Sequence, residues 1–237
     1  MTVVAIFDLD NTIVRGSSLF HFGVYLARAR LINPVQVIRH VGIECAYAHN
    51  GGEREGMPSK IAGRVLRLVA GRSQALIRSH AEEFARHHLR ESLLPSTLAE
   101  IMAFQFRGIP VHIASASPQE LVEAIAGELG VAGAIGTIAE VRQGRYTGEL
   151  ASPIAHGMEK ALRAQELLKS LGVHPHACWA FSDSINDLPL LASVGHPVAV
   201  NPDRTLRRLA EVNDWPVLPG SGGRHRPASH RNLVALR

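Results

Sequence analysis

The sequence predicts an α/β fold in which a doubly wound parallel sheet is flanked by helices. Its opening stretch, 3–7, is an unbroken apolar run of β-branched and aromatic residues, typical of a strand buried on both faces. From Leu93 to Leu218, strand-like and helix-like patterns alternate, as they do in parallel sheets. Three predicted strands also end in polar residues, which parallel strands bring to one edge of the sheet.

The first strand ends at two carboxylates one residue apart, Asp8 and Asp10. Two acids buried at a strand end repel each other, and a cation such as Mg²⁺ between them would relieve the repulsion. A solvated loop is the alternative interpretation, because Asp, Asn and Thr are also common turn residues. An EF-hand is excluded, since Ile13 stands where its glycine belongs and Leu19 where its closing glutamate belongs.

The stretch that follows, 15–91, has the pattern of helices. Apolar residues recur at helical spacing from about residue 17, after Asn33-Pro34, around 61–69, and from Leu76 to about Glu91. An insert of about 75 residues is too long for a plain crossover between strands. The pattern therefore predicts a small bundle of four amphipathic helices.

The α/β pattern returns with a helix over 96–106 and a strand over 111–114. That strand ends at Ser115. Ser117 is predicted to cap the next helix, with Pro118 in its first turn. The stretch 135–150 is predicted to form a strand, a turn at Gly144 and a second strand.

The last third of the chain continues this alternation. The predicted elements are a helix over 157–171, a strand over 177–181, a short helix, a strand over 197–201 and a helix over 202–212, and the stretch 215–218 then precedes the tail. Lys160 lies in the first turn of the helix over 157–171. The strand over 177–181 is followed by Ser-Asp-Ser-Ile-Asn-Asp, which contains Asp183 and Asp187.

The polar residues at these strand ends, with Lys160, suit phosphoryl transfer. A carboxylate can accept a phosphoryl group as an aspartyl-phosphate. Mg²⁺ held by further carboxylates would neutralise the charge that develops on the phosphoryl group. A lysine, a serine hydroxyl and helix N-terminal amides can bind the phosphoryl oxygens.

In order along the chain, FDLDNT, Ser115, Lys160 and SDSINDLPLL resemble the four motifs of the haloacid dehalogenase (HAD) superfamily. The helical insert resembles the type I cap of that superfamily. Three further segments are similar to segments of subfamily IB, the phosphoserine-phosphatase-like hydrolases. They are GRYTGEL, GHPVAVNPD and Trp215-Pro216. The resemblance spans 1–218. It implies a Rossmann-like core, 1–14 with 92–219, and a helical cap at 15–91. Residues 220–237, which begin with Gly-Ser-Gly-Gly, are predicted from their composition to form a flexible basic tail.

The resemblance also implies roles for individual residues. Asp8 is expected to be the nucleophile and a Mg²⁺ ligand, and Asp183 a second ligand. Asp10 is expected to protonate the leaving oxygen and later to activate water, while its backbone carbonyl binds Mg²⁺. Such an acid needs a raised pKa, which burial beside another anion provides.

The other motif positions support this chemistry. Ser115 and Lys160 are expected to hold the transferring phosphoryl group, and Lys160 also to screen the charge of Asp8. Asn186 is expected near the phosphate or the metal-bound waters, and Asp187 behind Asp183. Thr12 is expected to form a hydrogen bond within its own loop.

The expected substrate is a small phosphorylated metabolite, hydrolysed with Mg²⁺ as cofactor. Phosphoserine phosphatases resemble one another in placing a glutamate just after the first motif to bind the substrate ammonium group. Here 11–43 contains no acid, and Ser17 and Ser18 occupy that region. This departure argues against strict specificity for phosphoserine. A phosphotransferase acting on an alcohol acceptor, and a non-catalytic binding protein whose tail contacts nucleic acid, are the alternatives.

The composition indicates what class of protein this is and in which compartment it is expected. Of the 237 residues, 46% are hydrophobic, enough for a full core, and no apolar run approaches the ~20 residues of a membrane span. No secretory leader is expected, because Asp8 interrupts the early apolar run. The two cysteines, Cys45 and Cys178, lie far apart, which favours a reduced cytoplasmic location. A monomer or a homodimer is expected.

The net charge of +4 comes from the end of the chain. Residues 220–237 contain four arginines and no acid, so the remainder is formally neutral. This distribution argues against nucleic acid as a partner. His80, His87 and His88 share one predicted helix and are interpreted as surface or packing residues, because zinc needs more convergent ligands. The sequence has no G-x-S-x-G elbow, Walker loop or G-x-G-x-x-G motif.

Overall fold

The computed structural model describes residues 2–37 and 65–219, and its centre is a six-stranded sheet. The strand order is β3-β2-β1-β6-β7-β8, and every neighbouring pair is parallel. The strands of the sheet are β1 (Val4–Phe7), β2 (Val111–Pro118), β3 (Gly133–Thr137), β6 (Cys178–Ser182), β7 (His196–Val200) and β8 (Val217–Leu218). A separate antiparallel hairpin consists of β4 (Ala139–Arg142) and β5 (Arg145–Leu150).

Helices connect these strands. They are α1 (Ser18–Arg28), α2 (Pro34–Val37), α3 (Gln74–His88), α4 (Pro95–Phe106), α5 (Gln119–Glu128), α6 (Gly157–Ser170), α7 (Leu188–Leu191) and α8 (Arg204–Val212), with short 3₁₀ turns at Arg90–Ser92, Pro175–Ala177 and Ile185–Asp187. Residues 65–69 are also helical. None of the helices in these described ranges is long and apolar enough to cross a membrane.

The core lies on both faces of the sheet, as the unbroken apolar run of β1 predicts. Ala5 and Phe7 point into one buried cluster, and Val4 and Ile6 into another on the opposite face. In the first cluster Phe7 stacks on Phe181 of β6, with ring centroids 4.0 Å apart. Burial on both faces fixes β1 at the middle of the sheet, and the predicted doubly wound α/β fold is confirmed.

The topological switch point of the sheet lies beside β1. The chain leaves β1 for β2 on one side, and returns later to β6 on the other. In open α/β sheets, the crevice at the carboxyl ends of the strands beside such a switch point binds ligands. Asp8 follows β1 directly, so it lies in that crevice.

The described helices between β1 and α4 pack through aromatic rings. Tyr25 of α1 lies against Phe84 and His88 of α3, with centroids 5.7 and 5.4 Å away. The Tyr25 hydroxyl and Nδ1 of His80 form a hydrogen bond of 3.2 Å. Two of the three histidines on α3 therefore pack within this helix pair. The predicted loop at 50–52, Cys45 and the tail at 220–237 lie outside the described residues.

Candidate active site

Four side chains that the sequence singled out meet at the carboxyl edge of the sheet. Asp8 follows β1, Asp183 follows β6, Ser115 lies in the second half of β2, and Lys160 lies in the first turn of α6. Asp8, Ser115 and Lys160 are buried. Since β1 is hydrogen-bonded to both β2 and β6, three adjacent strands bring distant parts of the chain to one place.

Lys160 forms two ion pairs in this cluster. Its Nζ donates to Oδ1 of Asp8 at 2.8 Å and to Oδ2 of Asp187 at 2.7 Å. The Ser182 hydroxyl donates to the same oxygen of Asp187 at 2.7 Å. Asp187 thus fixes the ammonium group against Asp8, and both partners are almost fully buried.

Negative charge exceeds positive charge at this site. Burial, which outweighs the lowering effect of Lys160, raises the pKa of Asp8 to about 7, and the carboxylates of Asp187 and Asp10 contribute to this rise. Burial and the carboxylates of Asp8 and Asp187 raise the pKa of Asp183 to about 8. Burial alone would lower the pKa of Lys160, but its two carboxylate partners outweigh burial and hold that pKa above its usual value. The four acids therefore need a further cation to be ionised together.

A magnesium ion fits this donor set. Within 2–37 and 65–219, no three His, Cys, Asp or Glu side chains converge as a group that could hold a metal. Zinc sites in proteins take such a group, whereas Mg²⁺ is usually held by one or two carboxylates and completed by water and substrate oxygens. Asp8 and Asp183 are two carboxylates whose mutual repulsion a divalent cation would relieve.

The raised pKa values predict how the metal-free protein responds to pH. The ordinary pKa of both groups is 3.8, so the folded protein holds protons on Asp8 and Asp183 between about pH 4 and pH 8 that the unfolded chain releases. Stability in EDTA should therefore fall as pH rises through this range. The midpoint of thermal unfolding, measured from pH 4 to pH 8, should decline, and excess Mg²⁺ should reduce the decline. A metal-free midpoint that rises across the range would contradict these shifts.

Asp10 is held by the start of α1. The backbone N–H of Ser18, the first residue of that helix, donates to Oδ1 of Asp10 at 2.9 Å. A helix N-terminus favours a carboxylate. Burial nevertheless raises the pKa of Asp10, with the bonds from Ser18 acting in the opposite direction. Asp10 is thus fixed in place with a carboxyl group that takes up a proton more readily than a surface aspartate does.

Hydrogen bonds connect Asp10 to the serine of the second motif. The hydroxyls of Ser18 and Ser117 lie 2.8 Å apart, and the backbone N–H of Ser117 donates to Oγ of Ser115 at 3.1 Å. The prediction that Ser117 caps a helix is wrong. Strand β2 continues to Pro118, where it pairs with Thr137, so the helix begins later and Ser117 contacts α1 instead.

The remaining predicted residues lie around this centre. In the described part of the chain the Thr12 hydroxyl donates to Oδ1 of Asp183 at 3.5 Å, so its hydrogen bond is to the fourth motif and not, as expected, within its own loop. Asn186 lies in the 3₁₀ turn Ile185–Asp187, and its N–H donates to Oγ of Ser184. Asn11 has a φ of 55°, a left-handed conformation that asparagine tolerates, and its Oδ1 accepts from Gly16.

Two residues that support the site were not predicted from the sequence. The buried Thr137 hydroxyl donates to the carbonyl of Ala116 at 2.7 Å and accepts from the N–H of Ala155 at 3.2 Å, joining the end of strand β2 to the loop before α6. Asp203 caps α8 and accepts from the N–H of Ile185 at 2.7 Å. An Asn-Pro-Asp sequence before a helix pattern is a signal for such a cap, whereas Thr137 carries no signal of its own.

The chain is similar to known hydrolases and phosphatases. The family model described as haloacid dehalogenase-like hydrolase matches residues 5–192. The chain is 35% identical over 217 residues to phosphoserine phosphatase SerB1 of Mycobacterium tuberculosis, covering 92% of this chain and 70% of that protein. It is 28% identical over 222 residues to a histidinol-phosphatase of Neisseria meningitidis, covering 92% of this chain and 99% of that protein.

A solved structure extends the comparison to three dimensions. A crystal structure from Bordetella pertussis, of a protein described as having unknown function, matches with a TM-score of 0.79 and 29% identity. The match covers 92% of this chain and 99% of that one. The shared fold therefore includes nearly the whole of the other protein.

Proposed function

Because the chain belongs to the haloacid dehalogenase-like hydrolase family and is a phosphatase of that family, we propose that it hydrolyses a small phosphomonoester through an aspartyl-phosphate on Asp8. The observation that carries this proposal is the buried cluster in which Lys160 lies 2.8 Å from Asp8, with Asp183 beside them and Asp10 held by Ser18. Binding alone would not require a nucleophile, a cation and a second, proton-accepting carboxyl group in one buried crevice.

Asp8 attacks phosphorus in the first step. Lys160 binds Oδ1 of Asp8, so we assign the attack to Oδ2. An O–P bond forms to Asp8 while the bond from phosphorus to the substrate alcohol breaks. Ser115 and the ammonium group of Lys160 bind the equatorial oxygens of the transferring group. Asp187 keeps the ammonium group in place for this role through its bond of 2.7 Å.

Asp10 moves the proton in both steps. In its protonated form it gives the proton to the leaving alcohol oxygen, which its raised pKa favours. The resulting carboxylate then takes a proton from water as that water attacks the phosphorus of the aspartyl-phosphate, releasing phosphate and restoring Asp8. The hydrogen bond from Ser18 holds Oδ1 of Asp10, which fixes the direction of its carboxyl group in both steps.

Mg²⁺ is the proposed cofactor, held by the carboxylates of Asp8 and Asp183 and by the backbone carbonyl of Asp10. When bound, it supplies positive charge that offsets the repulsion between the phosphate and the carboxylates. The excess of buried acids over Lys160 supports this assignment. Asn186 and Thr12 are proposed to orient the groups around this centre, with Thr12 acting on Asp183.

The helices between β1 and α4 are proposed to act as a cap, with 15–91 as the cap and 1–14 with 92–219 as the core. Cap closure would exclude water while the aspartyl-phosphate forms. Ser18 supports the proposal, because this residue of the first cap helix contacts both Asp10 and Ser117. Movement of α1 would thus displace Asp10, the proposed general acid, through its bond to Ser18.

The proposed substrate is a small phosphorylated metabolite. One relative is named a phosphoserine phosphatase and another a histidinol-phosphatase, so relatives of similar sequence differ in the alcohol that they release. The test is phosphate release from phosphoserine, histidinol phosphate, phosphocholine, glycerol phosphates and a lysophosphatidate, each with Mg²⁺ or EDTA. Mg²⁺-dependent release from at least one ester is expected. No release from any ester by folded protein would contradict the proposal, and transfer to an added alcohol in place of release would identify a phosphotransferase.

A further inference from the structure

Ser117 connects the serine of the second motif to the proposed general acid. Its backbone N–H donates to Oγ of Ser115 at 3.1 Å, and its hydroxyl lies 2.8 Å from that of Ser18. The backbone N–H of Ser18 donates in turn to Oδ1 of Asp10 at 2.9 Å. A continuous series of hydrogen bonds therefore joins Ser115 to Asp10, and Ser117 takes part in two of the three bonds.

The place of Ser117 in this series depends on the extension of β2. Side chains alternate between the two faces of a strand, and here Ser115 and Ser117 are buried while Ala116 between them is exposed. Pro118 pairs with Thr137, whose hydroxyl also donates to the carbonyl of Ala116 at 2.7 Å. These contacts keep the end of the strand extended, so the Ser117 side chain meets α1 and does not cap α5.

The direction of the bonds follows from the number of hydrogens available. A serine hydroxyl has one hydrogen to donate. The Ser18 side chain is hydrogen-bonded to the carboxyl group of Asp10 and lowers its pKa, so the hydrogen of Ser18 is donated to Asp10. The hydrogen between the two serines is therefore that of Ser117, which donates to Oγ of Ser18.

This arrangement limits the freedom of the Asp10 carboxyl group. Ser18 is 2% exposed and Ser117 is 3% exposed, so bulk water does not compete for their bond. The bond restricts rotation of the Ser18 side chain, which contacts Asp10 as the backbone N–H of the same residue does. Because Oδ1 of Asp10 accepts that N–H, Oδ2 is the oxygen that carries the proton for the leaving alcohol.

We propose that Ser117 is a positioning residue for the phosphatase reaction, and that its hydroxyl acts through Ser18 to align Asp10 with the leaving oxygen. The phosphoryl oxygens that Ser115 binds and the leaving oxygen are attached to the same phosphorus atom. A fixed spacing between Ser115 and Asp10 therefore keeps the acid in line with the bond that breaks. This inference rests on the proposed function, in which Asp10 donates the proton.

The test compares two esters that differ in their need for a proton. p-Nitrophenol leaves as a stable anion, whereas an alkyl alcohol must be protonated as it leaves. In Ser117→Ala with Mg²⁺, kcat/KM for the best alkyl ester of the panel should fall by about 10- to 100-fold, the order of loss that a misplaced catalytic group causes. For p-nitrophenyl phosphate, kcat/KM should fall by less than about threefold. The matched control is Ser170→Ala, an exposed serine of α6, which should leave both values unchanged.

A second set of variants tests whether Ser117 acts through Ser18. Ser18→Ala removes the hydroxyl but keeps the N–H that binds Asp10, and it should show the same selective loss with the alkyl ester. The double variant, Ser18→Ala with Ser117→Ala, should lose at most about twofold more than Ser18→Ala alone, since two residues that act as one unit have non-additive effects.

The outcomes separate this inference from the proposed function. An equal loss for both esters in Ser117→Ala would indicate a general structural role and overturn the inference, while the phosphatase activity would stand. Unchanged hydrolysis of the alkyl ester, or losses that multiply in the double variant, would also overturn it. If Ser117→Ala does not fold, Ser18→Ala replaces it in the comparison of esters, with the same criterion. Failure of the folded wild type to release phosphate from any ester would overturn both proposals.

Discussion

Replacing Asp8 with asparagine is expected to reduce kcat by on the order of 10⁴-fold or more, because the amide cannot form the aspartyl-phosphate. The side chain keeps its shape, and Lys160 retains its bond of 2.7 Å to Asp187. The measurement is phosphate release from the best ester of the panel, at saturating Mg²⁺, for wild type and Asp8→Asn. The matched control is Asp214→Asn, an exposed aspartate with a φ of 54°, a conformation that asparagine also adopts.

The same substitution should leave the fold intact. Asp8 shares its site with Asp183 and Asp187, so loss of one charge removes repulsion. The thermal midpoint of Asp8→Asn in EDTA at pH 8 should equal or exceed that of the wild type. Retention of more than about a tenth of the wild-type kcat would remove Asp8 from the nucleophile role. Loss of activity together with unfolding would contradict the account of charge repulsion at this site.

Replacing Asp183 with asparagine is expected to raise the Mg²⁺ concentration for half-maximal activity by about 10- to 100-fold or more, since changes even at outer-shell positions have effects of that size. The variant loses a carboxylate ligand but keeps Asp8. Titration of activity with Mg²⁺ for wild type, Asp183→Asn and the Asp214→Asn control measures the shift. An unchanged Mg²⁺ titration in Asp183→Asn would place the metal elsewhere.

The elements that the sequence predicts well have a strong local pattern. The buried run at 3–7 predicts β1 and its position inside the sheet, and the structure places apolar residues of β1 in cores on both faces. The alternation after Leu93 predicts the order of strands and helices except over 135–150, where the two predicted strands are three in the structure, β3 in the main sheet and the hairpin β4-β5. Boundaries are predicted less well, because they depend on pairing with other strands. Strand β2 extends to Pro118 because Pro118 pairs with Thr137 of β3.

The parts of the site that the sequence predicts are those with acidic or basic side chains at strand and helix ends. Their mutual arrangement follows from the parallel sheet, which brings Asp8, Asp183 and Lys160 together from distant positions. The role of Thr137 and the burial of Glu120 were not predicted, because both depend on which part of the chain each side chain faces in the fold. From the sequence alone, Glu120 would be predicted to be an exposed residue of a helix. In the structure α3 packs against α5 and buries it.

The central claim is that the phosphoryl group is transferred to Asp8, and a single-turnover experiment tests it most directly. Excess enzyme is mixed with Mg²⁺ and an ester of the panel labelled with ³²P, quenched in acid within milliseconds to seconds, digested and mapped. The account predicts transient label on the peptide that contains Asp8, lost on treatment with hydroxylamine and absent from Asp8→Asn. Label on a serine or histidine peptide, or full turnover with no labelled protein at any time, would contradict it.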